Sequence, residues 1–449
     1  MPTLSSEHQP PTSSALSNTT RELSVLALVL IALMVLSCVT LTLPPLASVP
    51  DGANFRSAVL GVAFLLIIVP FFLRARFSFG YLLGIPFFVT VIGFVWITYS
   101  SGFDYNHDRA RWSAVASLLC LLLPLLFQVA PLRPPLALSV PAMNRLLLGL
   151  LALAALMLLW AASYGFAFVS PYATDGLRSS FTRPTALNYL IGALLGAVLP
   201  YAFATFAWQR RYLLAALSLM LIVAFYPVVL NKTVLFAAAW LPILFLLYRL
   251  FEPRRATLFA VLMPILFGLL AYQIANHGSG FVAQVSVYIY GNISVRMFAY
   301  PSIAMDRYSD FFAHHDPTHF CQIGVVRALL GCPYNFQLGQ EMLKAYDLGN
   351  LNASLLATEG IASVGPLWAP LSALLCGLVL SVGNSLSGRL PPSVLAGSAG
   401  VIQQTLMNVP LTTNLLTNGL LVLWLLWLIT PEAGDATSAT RPNTTTSSA

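Results

Sequence analysis

The stretch "LSVLALVLIALMVLSCVTLTL", residues 23–43, contains no charged residue and only small polar side chains. About 20 mainly apolar residues in a helix are enough to cross the hydrocarbon core of a bilayer. The run is too long for the apolar core of a cleaved secretion signal, and the residues before it are polar and rich in Ser, Thr and Pro. We therefore expect a first membrane-spanning helix here and no cleaved signal.

The composition of the whole chain extends this pattern. Hydrophobic residues make up 58% and charged residues 8%, whereas soluble proteins carry roughly 45–50% apolar and about 25% charged residues. We predict an all-α, polytopic integral membrane protein with about 12 transmembrane helices, nine within residues 23–275 and three within 363–430. The polar tails 1–22 and 431–449 are expected to be disordered. The individual predicted spans are residues 23–43, 57–73, 79–99, 112–130, 143–163, 185–207, 212–230, 233–250, 256–275, 364–386, 391–408 and 411–430.

Lysine and arginine predict the orientation, because cytoplasmic loops of membrane proteins are enriched in both. With the N-terminus inside, twelve of the 22 such residues fall in inner segments, six in short outer loops and four in the long outer loop. We therefore expect both termini in the cytoplasm and residues 276–362 as a large extracytoplasmic loop. Loops of this length are usually functional. The net charge of +7 follows from the inside bias, so no nucleic-acid partner is expected.

Titratable residues concentrate within that loop, in "DRYSDFFAHHDPTHF", residues 306–320. The stretch holds three of the six histidines of a chain that has few charged residues. Carboxylates and imidazoles are the groups that take and return protons in catalysis. The candidates for this role here are Asp310, His314, His315 and His319.

A metal site is the first possibility for the histidines. His315 and His319 have the spacing of the zinc-binding H-E-x-x-H motif. Here the segment reads H-D-P-T-H, and Pro317 would break the helix that brings the two rings to one face. We therefore predict no metal and no cofactor, and a hydrogen-bonded, solvated histidine cluster is the simpler interpretation.

Arginines on both sides of Pro301 are candidates for binding an anion. Pro301 is expected to begin a helix near Ser302, which would put Arg307, Asp310 and His314 on one face. The planar guanidinium group binds two phosphate oxygens at once, although surface salt bridges are an alternative explanation. The full set of arginine candidates for substrate binding is Arg296, Arg307 and Arg327 in the long loop, with Arg178 and Arg183 in the outer loop 164–184.

The segment "GNLNASLLATEGIASVGPLWAP", residues 349–370, leads from the loop back into the membrane. Asn352 is a candidate substrate contact. Glu359 lies near the start of the tenth span, where an acidic group is costly unless it is paired or wetted, so it is either a functional carboxylate or part of a helix cap. Cys321 and Cys332 can form a disulfide only if the loop faces an oxidising space.

In architecture the chain resembles the O-antigen polymerases (Wzy type) and the wider group of oligosaccharide repeat-unit polymerases. The resemblance lies in the dozen spans, the large late outer loop and the smaller arginine-bearing outer loop before it. At residue level, "SVRMFAYPSIAMDRYSDFF", residues 294–312, is similar to the arginine-led start of their large loop, and residues 350–370 are similar to the Asn-rich segment after it. Some members carry R-x10-G in both loops, whereas Arg327 and Gly339 are spaced R-x11-G.

The resemblance implies a transferase that joins oligosaccharide units carried on polyprenyl diphosphate into a surface polysaccharide, at the outer face of the bacterial inner membrane. The growing chain would pass to a hydroxyl of the next unit while the lipid diphosphate leaves, which requires a base and positive charge. One of the histidines, Asp310 or Glu359 would be the base, and the arginines would hold the diphosphate without a metal. The implied partners are the lipid-linked oligosaccharide and membrane lipid, with a chain-length regulator protein as a further candidate.

Three other functions fit parts of the pattern. An O-antigen ligase has similar architecture and donor but transfers to a lipid A core. A multispanning polyprenyl-phosphate-dependent glycosyltransferase carries acidic residues in its first outer loop, where this chain has only Asp51, since "DYNHD", residues 104–108, lies in the next one. A lipid-linked sugar transporter or flippase would need ionisable groups within the spans, where this chain has almost none.

Overall fold

The computed structural model describes residues 13–41, 46, 49–128, 130, 136–170, 181–348, 351 and 355–431. Within these ranges the chain is predominantly helical, and β-type pairing is limited to one isolated bridge between Leu46 and Ser101. The first helix begins at Ser13 and so extends into the segment 1–22, for which disorder was expected. Glu22 is held there by an ion pair with Arg255, whose Nη2 lies 2.7 Å from Glu22 Oε2.

Ten helices of the described part are long and apolar enough to cross a membrane, which confirms an all-α, multi-pass membrane protein. Three of them contain no charged residue, and in the other seven the charged residues lie within the first or last two turns of the span. The middle of each span is therefore uncharged, as a helix surrounded by lipid or by other helices requires. The ten are α1 (Ser13–Val39), α2 (Gly52–Arg74), α3 (Phe79–Ile97), α4 (His107–Phe127), α5 (Val140–Ala162), α6 (Thr185–Trp208), α7 (Tyr212–Val229), α8 (Lys232–Leu250), α9 (Pro253–His277) and α14 (Leu356–Ser387).

Shorter helices lie in the predicted long outer loop, residues 276–362, and in the C-terminal region, residues 391–430. The first part of the expected loop is a continuous run of helix. This run consists of α10 (Gly280–Tyr290), a π-helical segment (Gly291–Ala299) and α11 (Tyr300–His314). The remaining helices are α12 (Gly324–Leu330), α13 (Leu338–Tyr346), α15 (Pro392–Asn408), α16 (Leu411–Leu416) and α17 (Leu420–Ile429).

The eleventh and twelfth predicted spans, residues 391–408 and 411–430, correspond to α15, α16 and α17. Pro410 offers no N–H to continue α15, so the chain turns before α16 begins. Gly419 has a φ of 83° and separates α16 from α17, because a left-handed residue ends a helix. The C-terminal region is therefore more interrupted than two plain spans.

Helix α3 is the centre of the bundle. Every residue of "FGYLLGIPFFVTVIGFVWI" is buried, and the helix contacts α1, α2, α4, α9, α11, α14 and α15. It is apolar all round, which is the pattern of a helix with protein neighbours on every side. The large rings and branched side chains of α3 thus form the wall against which the other helices pack.

Helix α11 packs on the C-terminal half of α3 through a close backbone approach. Ser302 Oγ donates a hydrogen bond to the carbonyl oxygen of Thr90, at 2.8 Å. Gly93 makes this approach possible, because a Cβ there would lie 2.4 Å from Ser302 Oγ and 2.4 Å from Met34 Cε. This contact fixes the position of α11 along α3, and with it the position of the polar residues that α11 carries.

We expect Gly93→Leu to push α11 away from α3 and to lower the stability of the bundle, since overpacking a core typically costs about 1–3 kcal/mol. Gly149→Leu is the matched control, because Gly149 lies within α5 and a Cβ there would meet nothing within 4 Å. Thermal unfolding of the two purified variants in the same detergent measures the difference. Equal unfolding temperatures would contradict the close packing of α11 on α3.

Candidate functional site

The charged stretch of the sequence lies on α11, and its first half is buried. An α-helix does begin at Tyr300 with Pro301 in its first turn, but a π-helical segment precedes it instead of a break. The helix carries Arg307, Asp310 and His314 at the spacing expected for one face. It ends at His314, before Pro317, so His315 and His319 do not share a helix.

Arg307 and Asp306 form an ion pair in the interior. Both residues have 0% of their surface exposed, and Arg307 Nη1 donates to Asp306 Oδ2. Tyr105 donates its hydroxyl to the other carboxylate oxygen at 2.6 Å, and the Arg307 guanidinium lies over the Phe103 ring, 4.4 Å from its centroid. Burial raises the pKa of Asp306, and the adjacent Arg307 opposes that rise.

The guanidinium of Arg307 is only partly satisfied by this pair. Its Nε and Nη2 atoms are buried and have no hydrogen-bond partner among the described residues. Buried polar atoms are nearly always paired in proteins, and a charged group without partners costs more than a neutral one. Arg307 therefore has two donor nitrogens without a partner in the described structure, which is the number that a bidentate anion would bind.

Helix α13 covers the next turn of α11 through one tyrosine. The Tyr346 hydroxyl lies 2.7 Å from Asp310 Oδ2 and donates to it, and it also lies 3.1 Å from the carbonyl oxygen of Arg307. Burial is the main cause that raises the pKa of Tyr346, and the hydrogen bond with Asp310 is the second. The hydroxyl therefore stays a donor at neutral pH. The Tyr346 ring packs edge-on against Phe103, with centroids 5.4 Å apart. This contact connects α13 to the segment that precedes α4.

A polar cavity of about 350 Å³ lies on the Tyr308 side of α11. We call it the Arg327 cavity, and its polar lining comprises Tyr308, Thr318, Gln322, Arg327, Tyr334, Gln337, Thr358 and Thr413. Cys321 and Cys332 form a disulfide in its wall, and Arg327 lies inside the closed ring, where its Nη2 donates to the carbonyl oxygen of Tyr334 at 3.3 Å. Val409 and Pro410, at the interruption between α15 and α16, form the opposite wall.

Glu359 lies in the π-helical turn Leu356–Ile361 that begins α14. It is 6% exposed, and its two oxygens accept from backbone N–H groups, Oε2 from Leu355 at 2.7 Å and Oε1 from Leu411 at 2.6 Å. The second bond ties the start of α14 to the first turn of α16. The carboxylate thus holds two backbone segments together, and the catalytic role of Glu359 stays a prediction.

The three histidines lie at the exposed end of α11 and just beyond it. His314 and His315 each place Nδ1 within hydrogen-bonding distance of the carbonyl four residues earlier, at 2.9 and 2.8 Å. The His315 ring stacks on Phe311, with centroids 3.9 Å apart, while His319 has a φ of 48° and bonds through its backbone N–H to Ser363. Among the described residues, no group of three or more His, Cys, Asp or Glu side chains could hold a metal ion.

Two of the other predicted substrate residues, Arg296 and Arg183, are not brought to the Arg307 pair. Arg296 is exposed on the π-helical segment, with its guanidinium 4.7 Å from the centroid of Tyr300. Arg183 donates to the carbonyl oxygen of Val228 and contacts the ring of Phe181. Arg178 and Asn352 lie outside the described residues.

Sequence reasoning missed the aromatic partners of the cluster. Phe103 and Tyr105 belong to the segment around "DYNHD", which drew attention only as a possible glycosyltransferase feature. No spacing rule connects these positions to residue 307, because they approach it from loops distant in the chain.

Comparison of the chain with protein-family models, with curated protein sequences and with solved structures gave no match. The functional interpretation therefore rests on the residues and their geometry.

We expect Glu359→Gln to destabilise the protein. Glutamine keeps one oxygen acceptor, but its NH₂ group faces the second of the two backbone N–H groups and cannot accept a hydrogen bond from it. Leaving one buried donor unsatisfied typically costs about 1–3 kcal/mol. Asp104→Asn, the same exchange at an exposed carboxylate, is the control. A thermal unfolding temperature for Glu359→Gln equal to that of the control would show that the two backbone contacts are not structural.

Proposed function

We propose that this protein polymerises oligosaccharide repeat units carried on polyprenyl diphosphate, at the outer face of the bacterial inner membrane. The proposal includes twelve spans, both termini in the cytoplasm and residues 276–362 outside. It is supported by the resemblance in architecture, by the inside bias of arginine and lysine and by the polar cluster on α11.

The buried guanidinium of Arg307 is the observation that supports the proposal most. It is held in one orientation by Asp306 and by the Phe103 ring, while two of its nitrogens have no partner among the described residues. A fixed cation in a low-dielectric environment stabilises developing negative charge more strongly than a hydrated one. The group whose charge increases in the proposed reaction is the departing lipid diphosphate.

The proposed transfer forms one glycosidic bond and breaks one sugar–phosphate bond. A hydroxyl oxygen of the acceptor unit attacks the anomeric carbon of the growing chain, and the bond to the lipid diphosphate breaks with its electron pair going to the phosphate oxygen. Arg307 binds that diphosphate, with Arg327 as a second cation at the cavity. The hydroxyl proton passes to Asp310 or to one of the histidines at the end of α11, and Tyr346 positions the Asp310 carboxylate.

Arg307→Lys tests the role of the guanidinium. Lysine keeps the charge beside Asp306 but loses the planar donor set, so we expect a loss of roughly 10²–10³ in polymerisation rate, as for removal of an electrostatic donor in other enzymes. The polysaccharide ladder on a gel should collapse to a single repeat unit attached to its acceptor. Arg211→Lys, at an exposed position, is the control and should leave the ladder unchanged.

Membrane content and thermal unfolding of the variant establish that it inserts and folds. A normal ladder from both Arg307→Lys and Arg296→Ala would contradict the arginine assignment. Loss of even the single-unit product would instead support the ligase function.

The proposed topology is tested separately with exposed positions. Leu329 is 77% exposed in α12, within the loop placed outside, and Arg210 is exposed between α6 and α7, which are joined inside. A membrane-impermeant thiol reagent should label Leu329→Cys in intact cells and should label Arg210→Cys only after the inner membrane is opened. The reverse pattern would invert the orientation and exclude an external polymerisation site.

A further inference from the structure

A second cavity, of about 250 Å³, lies on the other side of α11. We call it the Arg109 cavity, and its walls come from the first turns of α4 (Asn106, Arg109), from α11 (Ser309, Phe312) and from the start of α14 (Ile361, Pro366). Tyr308 lines the Arg327 cavity, whereas the next residue, Ser309, lines this one. Successive residues of a helix point in directions about 100° apart, so α11 forms a wall between the two cavities.

Arg109 gives this cavity a positive charge that the neighbouring residues do not neutralise. Asp108 is engaged by Arg111, at 2.5 Å, and Arg111 also lies over the ring of Tyr99. Arg109 itself forms no ion pair with any residue that the structure describes. The cavity therefore combines one unneutralised guanidinium with hydroxyl and amide groups and an apolar wall, which suits a phosphate-bearing sugar attached to a lipid.

Tyr105 connects the Arg109 cavity to the buried ion pair of Arg307 and Asp306. This tyrosine lines the Arg109 cavity and donates its hydroxyl to Asp306, the partner of Arg307. An occupant of the Arg109 cavity therefore contacts the residue that supports the buried ion pair.

We propose that the Arg109 cavity binds the diphosphate–sugar headgroup of the acceptor, the second lipid-linked molecule of the reaction, an inference that rests on the proposed function. That reaction needs two lipid diphosphates bound at the same time, and only one of them leaves. The departing diphosphate needs a buried cation that acts on developing charge. The diphosphate that stays on the acceptor needs affinity alone, for which an exposed arginine is sufficient.

Binding of farnesyl diphosphate to the purified full-length protein, followed by titration calorimetry, tests the assignment without requiring polymerisation. We expect two sites per chain in the unaltered protein. Arg109→Gln should weaken one of them roughly tenfold to a hundredfold, the usual effect of losing a hydrogen bond to a charged group. Arg56→Gln, at an exposed arginine in the second turn of α2, should leave both sites unchanged, and Arg307→Lys should weaken only the other site.

The outcomes separate this inference from the proposed function. A single site that Arg307→Lys weakens and Arg109→Gln does not would overturn the acceptor site and leave the polymerase proposal intact. Two sites that neither variant affects would overturn both. Equal affinity of the Arg109-dependent site for inorganic diphosphate would overturn its assignment to a lipid-linked ligand, whereas a preference for the farnesyl compound and a shortened polysaccharide ladder from Arg109→Gln would support it.

Discussion

The buried ion pair between Arg307 and Asp306 constrains the arrangement of the polar part of the molecule. Removing both charges from water is expensive, and their attraction compensates only if the remaining hydrogen-bonding groups are met with good geometry. Tyr105 and Phe103 meet part of that requirement from the loop before α4, and α13 covers the same turn through Tyr346. Three segments distant in sequence are thus held around one guanidinium, two of whose nitrogens remain without a partner in the described structure.

Irregular backbone concentrates where these segments meet the membrane bundle. The π-helical segments Gly291–Ala299 and Leu356–Ile361 lie at the start of α11 and of α14, and Pro410 interrupts the chain opposite them. Within a membrane protein, non-helical backbone is tolerated only where it is buried in protein or lines a polar cavity. Here the Glu359 carboxylate accepts hydrogen bonds from the backbone N–H groups of Leu355 and Leu411. The irregular backbone beside the Arg327 cavity is therefore hydrogen-bonded within the protein.

The part of the structure that depends on local composition could be predicted from the sequence. Long uncharged runs specify the ten spanning helices, and Pro317 marks the end of α11 because the helix cannot continue into it. The partners of Arg307 could not be predicted, since Tyr105 and Tyr346 reach it through tertiary packing that no periodicity records. The burial of α11 could not be predicted either, because its charged residues indicate an exposed helix in a loop. The close contact between Gly93 and Ser302, which places α11 against α3, is visible only in the structure.

Arg307 on α11 and Arg109 beside this helix differ in burial, which decides what each can do. Arg307 is fully buried, so its orientation is set before any ligand arrives and no water must reorganise when charge develops beside it. Arg109 is exposed at the mouth of its cavity and can follow a headgroup of variable shape, but solvent screens its charge. A fixed cation suits the group that changes during a reaction, and a mobile cation suits a group that must only be held. Under the proposed function, Arg307 on α11 would stabilise the transition state and Arg109 beside this helix would bind substrate.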